Sequence, residues 1–318
     1  MATRVLLVKT SSLGDVIHAL PAVSDMRAAM PAVQIDWLVE ESLSAIPQLH
    51  AGVSAVIPVA FRRWRRSFWH TAMRREIAGF VARLREQSYD AVIDAQGLFK
   101  SAALALFARG TRYGLDFKSA REPVGFFYQN RCRVGWHLHA VERNRLLVAS
   151  ALGYTLQGSC AYGISATPRA FDWLAHPRYA VLLHATSGNY KLWPEDHWVA
   201  LAAALHERDI ASILTWGNER EHARCMRLAA RMREATIAPA LDFGALAGLF
   251  AGAQAVIGVD TGLSHLAAAL GVPTVGIYLA TDPAATGLYG GVRACNVGAT
   301  GSVPSVAEVL MALEKVCP

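Results

Sequence analysis

Short apolar runs alternate with longer amphipathic segments along the whole chain, and this rhythm limits the possible folds. The runs cover residues 4–10, 36–39, 55–59 and 91–95 in the first half, and 179–185, 212–216, 255–260 and 274–279 in the second. Buried strands that alternate with covering helices are typical of parallel βαβ units. We therefore predict an α/β protein with two doubly wound parallel sheets.

Length and composition agree with two domains. A chain of 318 residues can form two separate cores, and 53% hydrophobic against 18% charged residues excludes a disordered chain. The periodicity weakens over residues 158–177, where we place the linker. The predicted domains are residues 1–165 and 166–318.

Neither export nor membrane insertion is predicted. The apolar run at residues 5–8 is interrupted by Lys9, which leaves it too short for a signal peptide. The stretch at 266–280 contains Gly271 and Pro273 and is too short to span a bilayer. The five cysteines are widely spaced and form no paired motif, so neither a disulfide framework nor a zinc site is indicated. We expect a soluble cytoplasmic protein.

The first strand leads into a turn that ends at Asp15. In open α/β sheets the carboxyl ends of the strands line the ligand crevice, so Asp15 is a candidate base for an acceptor hydroxyl. Aspartate is also a preferred helix cap, and capping explains this position equally well from its place in the sequence.

A second strand-to-helix turn contains Asp260, Thr261 and Gly262, followed by His265. Free N–H groups at a helix start bind phosphate, and Gly262 permits close approach of a diphosphate. The alternative is an ordinary turn capped by Asp260 or Thr261, with His265 packed under the helix. Because a carboxylate repels phosphate, we expect Asp260 to hold the turn or a neighbouring donor.

A third strand end carries Thr186, Ser187 and Lys191. Two hydroxyls and an ammonium there would neutralise a leaving diphosphate, although a single loop lysine is commonly just solvated. No D-x-D, H-E-x-x-H or cysteine cluster is present, so we predict charge stabilisation without a metal site. The absence of G-x-G-x-x-G and of a P-loop argues against dehydrogenase and NTPase functions.

A basic and aromatic segment begins at Arg62. Residues 62–75 contain six arginines, including Arg62, Arg63 and Arg65, interleaved with Trp64, Phe68 and Trp69, in a chain of net charge +6. This pattern suits an anionic partner or a membrane interface. It also resembles single-strand nucleic-acid binding segments, or a solvated helix start with inward aromatics. The modest overall charge does not indicate a nucleic-acid-binding protein.

Taken together, six segments resemble the lipopolysaccharide heptosyltransferases, most closely the heptosyltransferase I branch. They lie in the family's order at residues 8–15, 62–65, 89–97, 120–123, 139–143 and 259–265. The resemblance implies a GT-B fold, with two Rossmann-like domains facing a cleft. The acceptor would bind mainly to the first domain and the nucleotide sugar to the second. The last helix, near residues 303–316, would pack back toward the first domain.

The resemblance also implies a reaction. It is an inverting, metal-independent transfer of L-glycero-D-manno-heptose from ADP-heptose to the inner Kdo of Kdo-lipid A, in lipopolysaccharide inner-core synthesis. ADP-heptose is a substrate, so no cofactor is implied. The enzyme would act as a peripheral protein at the cytoplasmic face of the inner membrane, without a nucleic-acid partner.

The family pattern assigns roles to individual residues. Asp15 matches the base, and Lys191 the cation at the leaving group. The matching donor-binding positions are Thr186, Ser187, Lys191, Glu221, Asp260, Thr261, Gly262 and His265. The matching acceptor-binding positions are Ser11, Ser12, Gly14, Arg62, Arg63, Arg65, Arg121 and His139. The chain departs from the family at Ser187-Gly188, where Thr-Arg is usual, and at Leu279-Ala280, where Gly-Pro is common.

Two other functions compete with this interpretation. A periplasmic-type binding protein also has two α/β lobes, but the missing signal peptide argues against it. A sister transferase that adds the second heptose, or another nucleotide-activated sugar, would have the same fold.

Overall fold

A computed structural model describes residues 2–67 and 69–317, so Phe68 of the basic segment lies outside the described residues. The chain divides into two compact units, Met1–Gly163 and Ile164–Pro318. This division falls inside the predicted linker and two residues before the predicted boundary.

The first unit is built on a parallel six-stranded sheet. Its strands are β1 (Arg4–Val8), β2 (Gln34–Glu40), β3 (Ala55–Val59), β4 (Ser88–Asp94), β5 (Arg109–Leu115) and β6 (Asn130–Cys132). They lie in the order β3-β2-β1-β4-β5-β6. The order reverses direction between β1 and β4, which is where open sheets of this kind bind ligands.

Among residues 2–67 and 69–163, seven α-helices accompany this sheet. They are α1 (Leu13–Ile17), α2 (Leu20–Ala29), α3 (Ala45–Gln48), α4 (Phe61–Ser67), α5 (Thr71–Glu86), α6 (Phe99–Phe107) and α7 (Ala140–Leu152). Helices α4, α5 and α6 cover one side of the sheet, where Trp64, Phe80 and Leu104 pack with strand residues such as Leu6 and Val92.

The second unit repeats the plan. Its strands are β7 (Tyr179–Leu183), β8 (Ala211–Leu214), β9 (Ala235–Ile237), β10 (Ala255–Val259), β11 (Thr274–Tyr278) and β12 (Ala294–Gly298). They are parallel and ordered β12-β11-β10-β7-β8-β9. Counted from its own first strand, this is the order of the first sheet, with the reversal between β7 and β10.

In the second unit, six α-helices lie within the described residues 164–317. They are α8 (Glu195–His206), α9 (Glu219–Ala229), α10 (Phe243–Gly252), α11 (Gly262–Ala269), α12 (Pro283–Thr286) and α13 (Val306–Val316). Helix α8 buries Trp198, Leu201, Ala202 and Leu205, which recur along one face at helical spacing.

The last helix, α13, packs its buried face into the second unit. Val309, Ala312, Leu313 and Val316 join the core formed with β10, β11 and α8. Those four side chains therefore pack against the sheet of their own unit. The expected packing of this helix toward the first domain stays a prediction.

Within residues 2–67 and 69–317, helices long and apolar enough to cross a bilayer are absent.

Candidate functional sites in the two units

Asp15 lies in the first turn of the short helix α1, which follows the carboxyl end of β1. Its Oδ2 atom accepts hydrogen bonds from the Ser12 backbone N–H at 2.8 Å and from the Ser12 hydroxyl at 2.9 Å. Ser12 is the N-cap residue of α1 and Asp15 is its partner in a capping box, so Asp15 supports the start of the helix without being its cap residue. Asp15 remains partly exposed, as do Leu13 and Gly14, so the capping box also holds a carboxylate at the surface of the sheet edge.

Residues after β4 support this turn. The Gln96 side-chain oxygen accepts hydrogen bonds from the backbone N–H groups of Thr10 and Ser11, both at 3.1 Å. The Lys100 ammonium donates to the Ser11 hydroxyl at 2.5 Å. The turn after β1 and the loop after β4 thus meet at the point where the strand order reverses.

Asp94, at the end of β4, anchors that loop from inside the core. It is fully buried and accepts hydrogen bonds from the backbone N–H groups of Gln96 and Gly97 and from the hydroxyls of Ser101 and Tyr128. Burial raises the pKa of the Asp94 carboxyl, while these four donors oppose the shift. The buried Asp94 carboxylate therefore holds the loop that carries Gln96 through the N–H groups of that loop and through Ser101 on the helix that follows it.

Positive charge surrounds Asp15. The Lys9 ammonium is buried and donates to the Ala95 carbonyl at 2.6 Å. Burial lowers the pKa of Lys9, and the charge of Arg121 lowers it further, whereas the charge of Asp15 raises it. Burial also lowers the pKa of Lys100, again opposed in part by Asp15. The charges of Lys9 and Lys100 therefore both interact with that of Asp15.

The arginines of α4 differ in how they are engaged. The Arg63 guanidinium forms a bidentate pair with Glu76 at 2.7 Å and a second pair with Glu41 at 3.1 Å. Its charge is therefore largely met within the protein. Arg62 and Arg65 are exposed, and among the described residues no carboxylate forms an ion pair with either. Arg62 and Arg65 are thus available to bind an anion, whereas Arg63 binds chiefly to Glu41 and Glu76.

The other two predicted acceptor residues lie in different settings. Arg121 is exposed. His139 is buried and caps α7, where its Nδ1 accepts from the Val141 N–H at 3.1 Å. Its ring meets that of His18 edge-on at 5.5 Å. His139 therefore has a clear structural role at the start of α7.

In the second unit a cavity of about 300 Å³ lies beside the loop that follows β7. It brings together the predicted residues Thr186, Ser187 and Glu221, and its remaining side chains include Asn189, Asn218, Arg220, Arg224 and Arg227. Glu221 accepts from the Gly217 N–H at 2.7 Å, and Asn218 caps α9. The cavity thus combines hydroxyls, a carboxylate and three guanidinium groups, which suits a polar, anionic ligand.

Lys191 and Asp260 form the centre of a second cluster in this unit. The Lys191 ammonium lies 2.6 Å from Asp260 Oδ2, which also accepts from the Thr281 hydroxyl at 2.7 Å. His265 Nε2 lies 3.9 Å from the other carboxylate oxygen. Burial raises the pKa of Asp260, but hydrogen bonds from His265, Lys191 and Thr281 outweigh it and hold that pKa well below its usual value.

The two groups in the second unit are joined through Thr186. Its hydroxyl donates to the Asp260 carbonyl at 2.8 Å, so the loop after β7 is tied to the turn after β10. Thr261 is the N-cap residue of α11, yet its side chain makes no capping hydrogen bond. Gly262 is the first residue of that helix, and His265 is buried, as the alternative interpretation also expected.

Several residues of these sites were missed from the sequence. Thr281 lies beyond the recognised motif, Arg220, Arg224 and Lys100 belong to no motif that marks them, and Gln96 lies in a recognised segment without having been assigned a role. Their common signal is position, because each follows or faces the carboxyl end of a central strand. Only the strand order shows which of those ends are neighbours.

A buried histidine supports the loop after β7. His184 is fully buried, and its Nε2 lies 3.0 Å from the Cys225 sulfur on α9. Burial and the nearby Arg224 lower the pKa of His184 to about 4, and burial raises that of Cys225 to about 12. Both groups are therefore neutral near pH 7, and the pair links the strand end to the helix that carries Glu221.

This pair predicts a pH dependence of stability. The folded pKa of His184, about 4, lies below the ordinary value of 6.5, so protonation favours the unfolded chain. Its contribution is complete above pH 6.5 and is lost as the pH falls toward 4. The free energy of unfolding in urea should drop by about 2 kcal/mol between pH 7.5 and pH 5 through this residue. In His184→Gln the decrease should be smaller by that amount. An equal decrease in both proteins would contradict the assignment.

In the part of the chain that the structure describes, clusters of three or more histidine, cysteine, aspartate or glutamate side chains able to hold a metal ion are absent.

The chain is similar in sequence to a known family and to proteins of known function. Residues 77–311 match the family described as glycosyltransferase family 9 (heptosyltransferase). The chain is 49% identical over 290 residues to lipopolysaccharide heptosyltransferase 1 of Pseudomonas aeruginosa, which covers 90% of this chain and 81% of the relative.

Two solved structures are similar over nearly the full length. The Escherichia coli heptosyltransferase WaaC with ADP has a TM-score of 0.90 at 41% identity, covering 99% of this chain and 100% of that one. The same enzyme with ADP-2-deoxy-2-fluoro heptose has a TM-score of 0.87 at 41% identity, covering 98% and 99%. These matches and the two parallel six-stranded sheets confirm the prediction of a GT-B type α/β fold.

Proposed function

The chain belongs to glycosyltransferase family 9, the heptosyltransferases, and on that premise we propose that it transfers L-glycero-D-manno-heptose from ADP-heptose to the inner Kdo of Kdo-lipid A. The observation that carries this proposal is the Asp15 carboxylate beside Lys9 and Lys100 at the reversal point of the first sheet. A base among cations suits an anionic acceptor that must lose a hydroxyl proton.

The second unit supports the donor half of the proposal. Ser187 and Arg220 line the polar cavity and would contact the diphosphate, together with the N–H groups at the start of α11. Glu221 lines the same cavity and would accept hydrogen bonds from the ribose hydroxyls. Lys191 would balance the charge that develops on the departing diphosphate.

The proposed reaction is a single displacement. The oxygen of the acceptor hydroxyl forms a bond to the anomeric carbon of the heptose. At the same time Asp15 accepts the proton of that hydroxyl. The bond from that carbon to the diphosphate oxygen breaks, and ADP leaves with the electron pair. Attack opposite the leaving group inverts the anomeric configuration. In this scheme protein cations and N–H groups meet the charge of ADP, and neither a metal ion nor a cofactor takes part.

The acceptor is a membrane glycolipid, so we propose that the enzyme works as a peripheral protein at the cytoplasmic face of the inner membrane. Trp69 supports this, because its side chain is 80% exposed in the middle of the basic segment. An exposed tryptophan beside arginines is suited to an interface with anionic lipid.

A transfer assay tests the proposed function. The purified protein is mixed with a Kdo-lipid A acceptor and with ADP-heptose, UDP-glucose or ADP-glucose, each with and without EDTA. We expect transfer from ADP-heptose alone and no loss in EDTA. A preference for another donor would favour a different nucleotide-sugar transferase, and transfer only to an acceptor that already bears one heptose would favour the sister enzyme. Inhibition by EDTA that magnesium reverses would contradict the metal-independent scheme.

The α4 arginines give a prediction about the acceptor. Arg62→Ala combined with Arg65→Ala should raise the acceptor KM about tenfold, because two solvent-facing cations would be lost from an anionic ligand. The KM should also become less sensitive to salt, since these attractions are screened over about 8 Å at physiological ionic strength. The KM for ADP-heptose should stay within about twofold.

Arg63→Ala is the matched control in the same helix. Because Glu41 and Glu76 already neutralise Arg63, its removal should change the salt dependence of the acceptor KM less than the double replacement does. A larger change from Arg63→Ala would show that Arg63 leaves its glutamates to bind the acceptor. A change confined to the donor KM would contradict the placement of the acceptor on the first domain.

A further inference from the structure

An apolar cavity of about 310 Å³ lies in the first unit between α4, α5 and α6. Trp64, Phe80 and Leu104 form its buried wall, and Phe107, 37% exposed, stands at its opening. The Trp64 and Phe80 rings pack edge to face at 5.1 Å, which keeps this wall fixed. The cavity is therefore a preformed part of the domain.

Its lining gives water few partners. The only polar group of the buried wall, the Trp64 indole N–H, donates to Glu76 at 3.1 Å. Among the described residues that line the cavity, Arg65 and Lys100 alone carry charge. A cavity of this kind does not satisfy the hydrogen bonds of water and favours an apolar chain instead.

The two cations connect the cavity to the proposed acceptor site. The Lys100 ammonium donates to Ser11, next to the turn that holds Asp15, and its charge interacts with that of Asp15. Arg65 lies one helical turn after Arg62 on α4. An apolar pocket lined by Arg65 and by Lys100, which reaches the Asp15 turn, is complementary to a ligand that joins an anionic sugar to a hydrocarbon tail.

We propose that this cavity binds an acyl chain of the glycolipid acceptor and so selects the acylated acceptor over its sugar portion alone. The inference rests on the proposed function. Burial of each methylene group favours binding about fourfold, so a few methylene groups suffice for a measurable selectivity.

Kinetic selectivity tests this directly. We would measure kcat/KM of the full-length protein for Kdo-lipid A and for the same acceptor with its acyl chains removed. Ala103 lines the cavity, and Ala103→Phe should fill it. This variant should lower kcat/KM for the acylated acceptor at least about tenfold, through KM, and leave the deacylated acceptor within about twofold.

Leu106→Phe is the control, because Leu106 lies on the same helix but is 41% exposed and is not part of the cavity wall. It should change neither acceptor. Equal losses on both acceptors in Ala103→Phe, or no loss on the acylated one, would overturn the proposal. If the wild-type protein transferred heptose to neither acceptor, the proposed function would fail separately.

A binding measurement keeps the inference testable in that case. The probe is a Kdo-lipid A with bromine atoms on its acyl chains, which quenches nearby tryptophan fluorescence. Quenching should occur in the wild-type protein and decrease in both Trp64→Phe and Ala103→Phe. Unchanged quenching in both variants would overturn the proposal. The proposal would also be overturned if vesicles of brominated phosphatidylglycerol quenched the tryptophan fluorescence and the brominated acceptor did not. A bulk membrane lipid would then be the occupant of the cavity.

Discussion

Replacement of Asp15 with asparagine is expected to reduce heptose transfer at least about a hundredfold, because the amide cannot accept the proton of the acceptor hydroxyl. Asparagine is an informative substitute at this position. Its side-chain oxygen can still accept the two hydrogen bonds from Ser12 that the carboxylate now accepts. The turn should therefore persist while the base is lost.

Three measurements separate the two functions of Asp15. The turnover number should fall, the affinity for ADP should stay within about twofold, and the midpoint of thermal unfolding should change little, since the amide oxygen can accept the same two hydrogen bonds from Ser12. Near-normal turnover would reduce Asp15 to the capping-box partner of Ser12. A large loss of thermal stability together with activity would show that the turn, and not the base, had been removed.

Replacement of Lys191 with alanine should lower the turnover number about a hundredfold and weaken ADP binding, because one preorganised positive charge is lost where the diphosphate departs. In the structure this ammonium is already held at 2.6 Å by Asp260, whose carboxylate also accepts from Thr281. The lysine is therefore placed before the donor binds. Steady-state kinetics and calorimetric titration with ADP would measure both effects.

Two further variants define the origin of that loss. Lys191→Arg keeps the charge and should retain more activity than the alanine variant. Lys315→Ala removes an exposed lysine from α13 of the same unit and should leave both quantities unchanged. If Lys191→Ala bound ADP and turned over within about threefold of the wild type, the ammonium would be only a structural partner of Asp260.

Eight of the twelve strands among the described residues could be predicted from the sequence, and the four that were missed lie at or next to an edge of their sheet. Most of the predicted strands are buried on both faces and read as continuous apolar segments, whereas the edge strand β3 was recognised from its apolar residues although only Val59 in it is buried. The runs for β5, β6, β9 and β12 were missed. β6 and β9 have only three residues each, and β5 begins with Arg109, Gly110 and Thr111. Such strands are stabilised by pairing with a neighbour, which leaves little trace in local hydrophobicity.

The same distinction applies to the sites. Asp15, Thr186 and Asp260 follow strand ends directly, so their position could be inferred from the rhythm of the chain. The pairing of Lys191 with Asp260 joins residues that are 69 positions apart. Lys100 reaches Ser11 across 89 positions. Contacts of this kind depend on which strands become neighbours, and the order of a sheet is a property of the whole domain and not of any segment.

The two sheets have the same strand order, and each has its own core. The turn after β1 and the loop after β7 therefore occupy equivalent places in two separate frameworks. The cavity beside Ser187 is built on the sheet of the second unit, and the turn that holds Asp15 follows a strand of the first. Under the proposed function, substitutions in the second unit would alter the preference for the sugar donor and substitutions in the first the preference for the acceptor, so natural selection could change the two preferences one at a time.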